Sequence, residues 1–356
     1  MDSKNQHEFF MSRCLQLAQK GRGNVAPNPL VGAVIVHNGR IIGEGFHKKF
    51  GEAHAEVNAI NSVNDKALLS QSTIYVTLEP CAHFGKTPPC ADLIINNKIP
   101  KVVIGMRDPF AKVNGLGIKK LEQAGCIVEV GVLKDKCMEL NREFIVFHTK
   151  KRPYIILKWA QTLDGFIDKN RTPDEPMQPN WITNEICRVL VHKWRSETKA
   201  IMVGTNTVKM DNPELNVRSW AGKSPLRIII DKDLSLSNNL NVFDNRYKTL
   251  VLTKIKNETV DNTEFYKIGF GEKFIPDLLK ILYMRNISSL FVEGGQALLN
   301  SFINEGYWDE VRIFTGNKYF YSGIEAPKID GKVMVQEGLH DNVLTIQENI
   351  KQTVDL

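Results

Sequence analysis

A chain of 356 residues accommodates two domains at ~100–200 residues each. Hydrophobic residues make up 42% and charged residues 24%, which excludes a mostly disordered chain. The 46 Lys and Arg against 40 Asp and Glu leave a formal +6, too mild to demand nucleic acid but suited to small anionic substrates.

In chain order, residues 5–20 read as a helix with Phe10, Cys14, Leu17 and Ala18 on one face. Residues 30–46, LVGAVIVHNGRIIGEGF, read as a hairpin, because Asn38-Gly39 suits the positive φ angles of a tight turn. HAEVNAINSV then predicts a helix, TIYVTLEP a strand, CADLIINNK a helix and KVVIGM a strand. GIKKLEQAG follows as a helix stopped by Gly125, and CIVEVGV as a strand. Residues 133–147 read as helical first and extended afterwards. The polar, basic stretch 149–153 ends in a proline and marks a domain boundary. The expected domains are 1–148 and 151–356.

Past the boundary, RPYIILKWAQTLDGFID reads as a strand entering a turn. NEICRVLVHKWRSE reads as an amphipathic helix with Ile186, Val189, Leu190 and Trp194 on its apolar side. KAIMVG, RIIID, KTLVLT and SLFVEGG are short apolar strands, with helices at FIPDLLKILYMR and ALLNSFINEG. Residues 169–180 and 232–247 read as loops. Both halves are therefore α/β. The start of the chain carries charges throughout and has no apolar core of a signal peptide. No run approaches the ~18 apolar residues of a membrane span. The expectation is a cytoplasmic protein with no membrane partner and with its six cysteines reduced.

The chemistry-bearing pattern is His54-Ala-Glu56, then Pro80-Cys81, then Pro88-Pro89-Cys90. One imidazole and two thiolates leave the fourth position of tetrahedral zinc open for water. Zinc lowers the pKa of such a water towards ~7. Glu56 is then a proton carrier rather than a ligand. His54 and Glu56 are two residues apart, roughly 200° around a helix, so they share one site only at a helix tip. Taken singly, Cys81, Cys90 and His54 read as ordinary buried side chains. Together they match the H-x-E…P-C…C signature of zinc deaminases. Here eight residues, Ala82 to Pro89, separate the cysteines where that signature has two. The remaining cysteines, Cys14, Cys126, Cys137 and Cys187, read as fillers.

In the second half no G-x-G-x-x-G occurs, so a Rossmann fingerprint is absent. Val292-Glu293-Gly294-Gly295 ends a strand before a helix. A phosphate cradle and a plain strand-to-helix turn explain it equally well.

With APNPLVGAVIV, HAEVNAI and VTLEPCAHFGKTPPC in the first half, the chain closely resembles the bifunctional riboflavin-biosynthesis deaminase/reductase family. LKWAQTLDG, NWIT, VGTNTV, Asp211-Asn-Pro-Glu-Leu215 and VEGGQALLNSF extend the resemblance over essentially the whole chain. It implies a cytidine-deaminase-like three-layer domain followed by a dihydrofolate-reductase-like domain. It implies one zinc per chain on His54, Cys81 and Cys90, with Glu56 as proton donor. Asn28, His83 and Lys86 would hold the pyrimidine or its ribose phosphate. NADPH would contact Ala160, Trp181, Thr207, Asp211, Gly295, Gln296, Ala297, Leu298, Leu299, Asn300 and Ser301. The substrate would contact Lys158, Arg195, Leu215, Arg218 and Glu293. Lys158 and Asp211 would sit near the ribose carbon that receives hydride.

The implied substrates are small phosphoribosylaminopyrimidines, deaminated first and then reduced from ribosyl to ribityl. A homo-oligomer is left open. The chain departs from the family at Phe110, Pro179, Lys232 and residues 314–330, and its loop before Trp181 is long. A nucleic-acid-editing deaminase would call for a more basic, aromatic-rich surface. A zinc-stabilised structural protein would call for a fourth protein ligand.

Overall fold

The computed structural model describes residues 3–82, 88–109, 115–172 and 175–352. The chain divides into two compact units between Lys151 and Arg152. Among the described residues, no helix is long and apolar enough to cross a membrane.

The first unit contains α1 (Ser3–Gln19), β1 (Gly32–His37), β2 (Arg40–Phe46), α2 (Ala55–Ser62), β3 (Thr73–Leu78) and α3 (Cys90–Asn96). It continues with β4 (Lys101–Met106), α4 (Leu116–Gln123), β5 (Ile127–Val130), α5 (Lys134–Leu140) and α6 (Arg142–Lys150). The strands form one sheet in the order β2-β1-β3-β4-β5. The hairpin stands as the sequence predicts: Asn38 and Gly39 turn at φ 46° and 74°. β1 is antiparallel to β3, and β3, β4 and β5 run parallel.

Glycines set how closely the helices approach. A Cβ on Gly45 of β2 would lie 2.2 Å from the Ala59 nitrogen of α2. A Cβ on Gly105 of β4 would lie 2.4 Å from Cys137 Sγ of α5 and 3.3 Å from Met11 Sδ of α1. So α1 and α5 share one face, and α2 with α3 and α4 covers the other.

One expectation fails here. Residues 142–150 are helical where the sequence suggests an extended segment. Phe144, Ile145, Val146 and Phe147 are all buried, so packing outweighs the strand preference of that apolar run. Asn141 interrupts the two helices and pins them to the start of β1. Its Oδ1 accepts from Leu30 N at 2.8 Å, and its Nδ2 donates to Leu30 O at 3.0 Å.

The second unit contains β6 (Tyr154–Thr162), β7 (Phe166–Asp168), α7 (Glu185–Glu197), β8 (Ala200–Val203), α8 (Thr205–Asp211) and β9 (Leu226–Ile230). Next come β10 (Thr249–Thr253), β11 (Glu258–Val260), β12 (Thr263–Lys267), α9 (Phe274–Met284), β13 (Ser289–Val292) and α10 (Gln296–Asn304). The last elements are β14 (Glu310–Gly316), β15 (Ile324–Glu325), β16 (Lys332–Leu339) and β17 (Asn342–Glu348). The large sheet runs β11-β12-β10-β9-β8-β13-β6-β14-β17-β16, and β15 pairs with β7 separately. From β12 to β14 the neighbours are parallel. Buried aliphatic residues of β6, β8, β10 and β13 pack with Leu278, Leu282, Leu299 and Phe302 to form the core.

The apolar side of α7 is rotated from the expectation. Cys187, Val191 and Trp194 are buried, whereas Ile186 is 53% exposed and Val189 and Leu190 are half-buried. The helix α8 and the hairpin β16–β17 were not predicted. Of the four expected filler cysteines, Cys14, Cys137 and Cys187 are buried and Cys126 is half-buried.

Candidate active sites

In the first unit the sequence places two donors at helix starts and one just past the end of a strand. His54 is the residue before α2, with extended backbone at φ −71° and ψ 167°. Cys81 lies three residues beyond β3, and Cys90 opens α3. Their donor atoms all fall within 4.8 Å of one another. His54 Nδ1 is 3.3 Å from Cys90 Sγ and 3.8 Å from Cys81 Sγ. Bonds of ~2.0–2.3 Å to a tetrahedral centre require ligand atoms about 3.5 Å apart, so this donor set fits zinc.

Helix polarity reinforces the arrangement. The Cys90 amide donates to Cys81 Sγ at 3.3 Å, and the Ala91 amide to Cys81 O at 3.1 Å. The Cys90 thiol and His54 draw the Cys81 thiol well below its ordinary value, and the same sharing pushes Cys90 up.

Glu56 sits in the first turn of α2, so His54 and Glu56 do share a helix tip. It is 4% exposed. Burial, and then the neighbouring Cys81, push its carboxyl up to about 7. Asn28 is half-buried nearby, and its Nδ2 donates to His47 Nε2 at 3.1 Å. His47 donates from Nδ1 to Ala53 O and meets the His54 ring edge-on at 5.5 Å between centroids. Burial lowers the pKa of His47, which favours this neutral tautomer. His83, Lys86 and Phe110 lie outside the described residues.

Glu79 is a residue the sequence reading passed over. Its buried carboxylate accepts four backbone amides: Asp108 at 3.2 Å, Gly115 at 3.0 Å, Gly117 at 2.9 Å and Ile118 at 3.3 Å. This ties the start of α4 to the loop that carries Cys81. The approach is close enough that a Cβ on Gly117 would stand 1.9 Å from Pro80 O. Overpacking costs ~1–3 kcal/mol even where side chains can give way, and here the obstacle is backbone. Gly117→Ala is therefore expected to lower zinc content and ammonia release while sparing NADPH oxidation. Metal content and the two activities, measured on one preparation, check this.

In the second unit β13 pairs in parallel with β6, with Val292 opposite Leu157. The next residues, Glu293 and Lys158, consequently stand side by side, 3.9 Å apart. Arg195 of α7 grips Glu293 with two bonds of 2.6 and 2.8 Å and donates to Asn216 O at 3.1 Å. Burial opposes the charge of Glu293, but Arg195 and Lys158 outweigh it and hold the carboxyl below its usual range. Burial lowers the pKa of Lys158, against the pull of Glu293. Arg218 is exposed and reaches Asn216 Oδ1 at 2.9 Å, while its amide contacts His192 Nδ1 at 3.4 Å. Leu215 is buried with φ 52°. Lys158, Arg195, Glu293 and Arg218 thus belong to one network.

The cofactor candidates fall into distinct places. Thr207 Oγ1 would meet a Cβ on Gly294 at 3.3 Å and one on Gly295 at 3.2 Å, so α8 and the turn before α10 touch through missing side chains. Gly295 has φ 73° and Ala160 is half-buried. Trp181 is 50% exposed under the Arg188 guanidinium, at 4.7 Å. Asp211, at the end of α8, pairs with Arg171 at 2.8 Å. Along α10, Gln296 donates to Glu325 O at 2.9 Å, and Ser301 to Ala297 O at 2.9 Å. Asn300 is half-buried, while Leu298 and Leu299 point into the core. Pro179 is half-buried and Lys232 exposed.

Comparison with known proteins matches both halves of the chain to one kind of enzyme. Residues 4–106 match the cytidine and deoxycytidylate deaminase zinc-binding region, and residues 153–320 the RibD C-terminal domain. The riboflavin biosynthesis protein RibD of Aquifex aeolicus is 41% identical over 323 residues, 88% of each chain. That of Escherichia coli is 35% identical over 332 residues, again 88% of each. The diaminohydroxyphosphoribosylaminopyrimidine deaminase/5-amino-6-(5-phosphoribosylamino)uracil reductase of Thermotoga maritima superposes with a TM-score of 0.87 at 38% identity. That match spans 97% of this chain and 99% of the other. RibD of Acinetobacter baumannii superposes with a TM-score of 0.87 at 30% identity over 97% and 99% of the two chains. The chain belongs to the RibD family of bifunctional riboflavin-biosynthesis enzymes, with a zinc-dependent deaminase half and an NADPH-dependent reductase half.

Proposed function

We propose that the first unit deaminates 2,5-diamino-6-(5-phosphoribosylamino)pyrimidin-4-one, with His54, Cys81 and Cys90 as zinc ligands and Glu56 as proton carrier. The second unit then reduces the ribosyl side chain to ribityl, giving 5-amino-6-(5-phosphoribitylamino)uracil. The observation that carries this reading is the buried Glu56 at the helix tip that also presents His54 to the two cysteines.

When bound, zinc acidifies a water and NADPH supplies reducing equivalents. Glu56 takes a proton from the attacking water and delivers it to the amino nitrogen that leaves as ammonia. A carboxyl with a pKa near the working pH performs both transfers. Asn28 uses its Nδ2 on His47, which directs its amide oxygen to a pyrimidine donor.

In the reductase half, Arg195 has its Nε and Nη2 committed to Glu293, so it orients that carboxylate rather than gripping phosphate. Exposed Arg218 keeps donors for the 5-phosphate. Lys158, buried beside Glu293, places a cation near the reacting ribose carbon. Thr207, Asp211 and the Gly295 turn receive the cofactor.

Metal analysis joined to a two-step assay tests the whole reading. One zinc per chain is expected, with ammonia release from the diaminopyrimidine phosphate preceding NADPH oxidation. Ammonia release that survives complete zinc removal would overturn the deaminase assignment. Absence of NADPH oxidation with the deaminated intermediate would overturn the reductase assignment.

A further inference from the structure

Arg171 lies in the loop between β7 and α7, and no role above uses it. Its side chain is 5% exposed. Nη2 stands 2.7 Å from Asp168 and 2.8 Å from Asp211. Nη1 donates to Gln178 O at 2.9 Å and to Met210 O at 3.0 Å. Asp168 in turn accepts from Asn180 Nδ2 at 2.7 Å. One guanidinium therefore joins the end of β7, the loop leading to Trp181 and the last turn of α8.

We propose that Arg171 is a positioning residue of the reductase, fixing the Asp211 carboxylate beside the cofactor segment of Thr207 and Gly295. This inference rests on the reading of Asp211 given under the proposed function.

The geometry supports it in two ways. First, Arg171 holds both Asp211 and the carbonyl of the preceding Met210, so it fixes the side chain and its backbone together. The planar fork allows this, whereas a lysine offers a single charged point. Second, among the described residues two charged groups face Asp211, and they act in opposite senses. Burial raises the Asp211 carboxyl and Asp168 adds to the rise, while Arg171 pulls it back. Without Arg171, two carboxylates would share a partly buried site and one would take up a proton.

The full-length, zinc-loaded enzyme carries the test, because its deaminase rate is an internal control. Arg171→Met is expected to lower the reductase kcat roughly tenfold with the deaminase rate unchanged. The acid limb of the reductase pH profile should move to higher pH, since Asp211 then protonates earlier. NADPH affinity, read by fluorescence titration, should weaken relative to the parent, and more so at about pH 6 than at about pH 8. Arg171→Lys should restore part of each property. Should the Met variant fold poorly, Arg171→Gln, neutral but still able to hydrogen-bond, reports the shift of the acid limb in its place.

Parent-like kcat, pH profile and NADPH affinity in Arg171→Met, alongside an impaired Asp211→Asn, would overturn the positioning role alone. A fully active Asp211→Asn would instead remove the reading of Asp211, and this inference with it.

Discussion

Glu56→Gln is expected to keep one zinc per chain and to slow ammonia release by about 10²–10⁴-fold, the usual scale of a lost general acid–base. The amide matches the carboxyl in shape but cannot carry a proton. Burial already favours the neutral form of Glu56, so a neutral replacement imposes little folding cost. The three proposed metal donors, His54, Cys81 and Cys90, are all kept by the substitution. NADPH oxidation with the deaminated intermediate should be unaffected. Metal content and ammonia release settle the matter, and turnover at the parent rate would sink Glu56 as the proton carrier.

The second large effect concerns stability as well as catalysis. Glu293→Leu leaves Arg195 and Lys158 as two neighbouring cations with their shared counter-charge gone. Removing one partner of a buried ion pair typically costs ~3–5 kcal/mol. A fall of that size in urea unfolding of the second unit is expected, together with loss of reductase activity. Arg195→Met combined with Glu293→Leu should recover part of the stability, because one stranded charge goes, but none of the activity. A single variant as stable as the parent would show that solvent reaches the network more freely than its burial indicates.

Local patterns were legible where chemistry and element ends coincide. Asn38-Gly39 signalled the hairpin from turn geometry alone. His54, Cys81 and Cys90 could be grouped because each adjoins a predicted strand or helix end, and the structure brings all three together. The misreadings have one physical origin, the tertiary surroundings. Phe144 to Phe147 look like a strand until all four are buried along a helix. On α7, Ile186 looks like a core residue, yet Cys187 takes that place.

Long-range polar pairings left no local trace. Glu79 meets amides 29–39 residues away, and Arg171 meets Asp211 40 residues away. Neither contact has a periodicity to betray it. Arg195 is named by the resemblance as a substrate contact, but only the structure shows its donors committed to Glu293 and Asn216.

The Glu79 carboxylate has a consequence for where an anionic substrate can rest. Helix starts are ready-made sockets for phosphate. In the deaminase half two of them are already filled from within. The start of α4 is plugged by Glu79, and the first amides of α3 are spent on the sulfur and carbonyl of Cys81. A phosphoryl group arriving at either start meets amides that these internal partners already hold. The architecture has traded general affinity for anions at these two ends for rigidity around the metal donors.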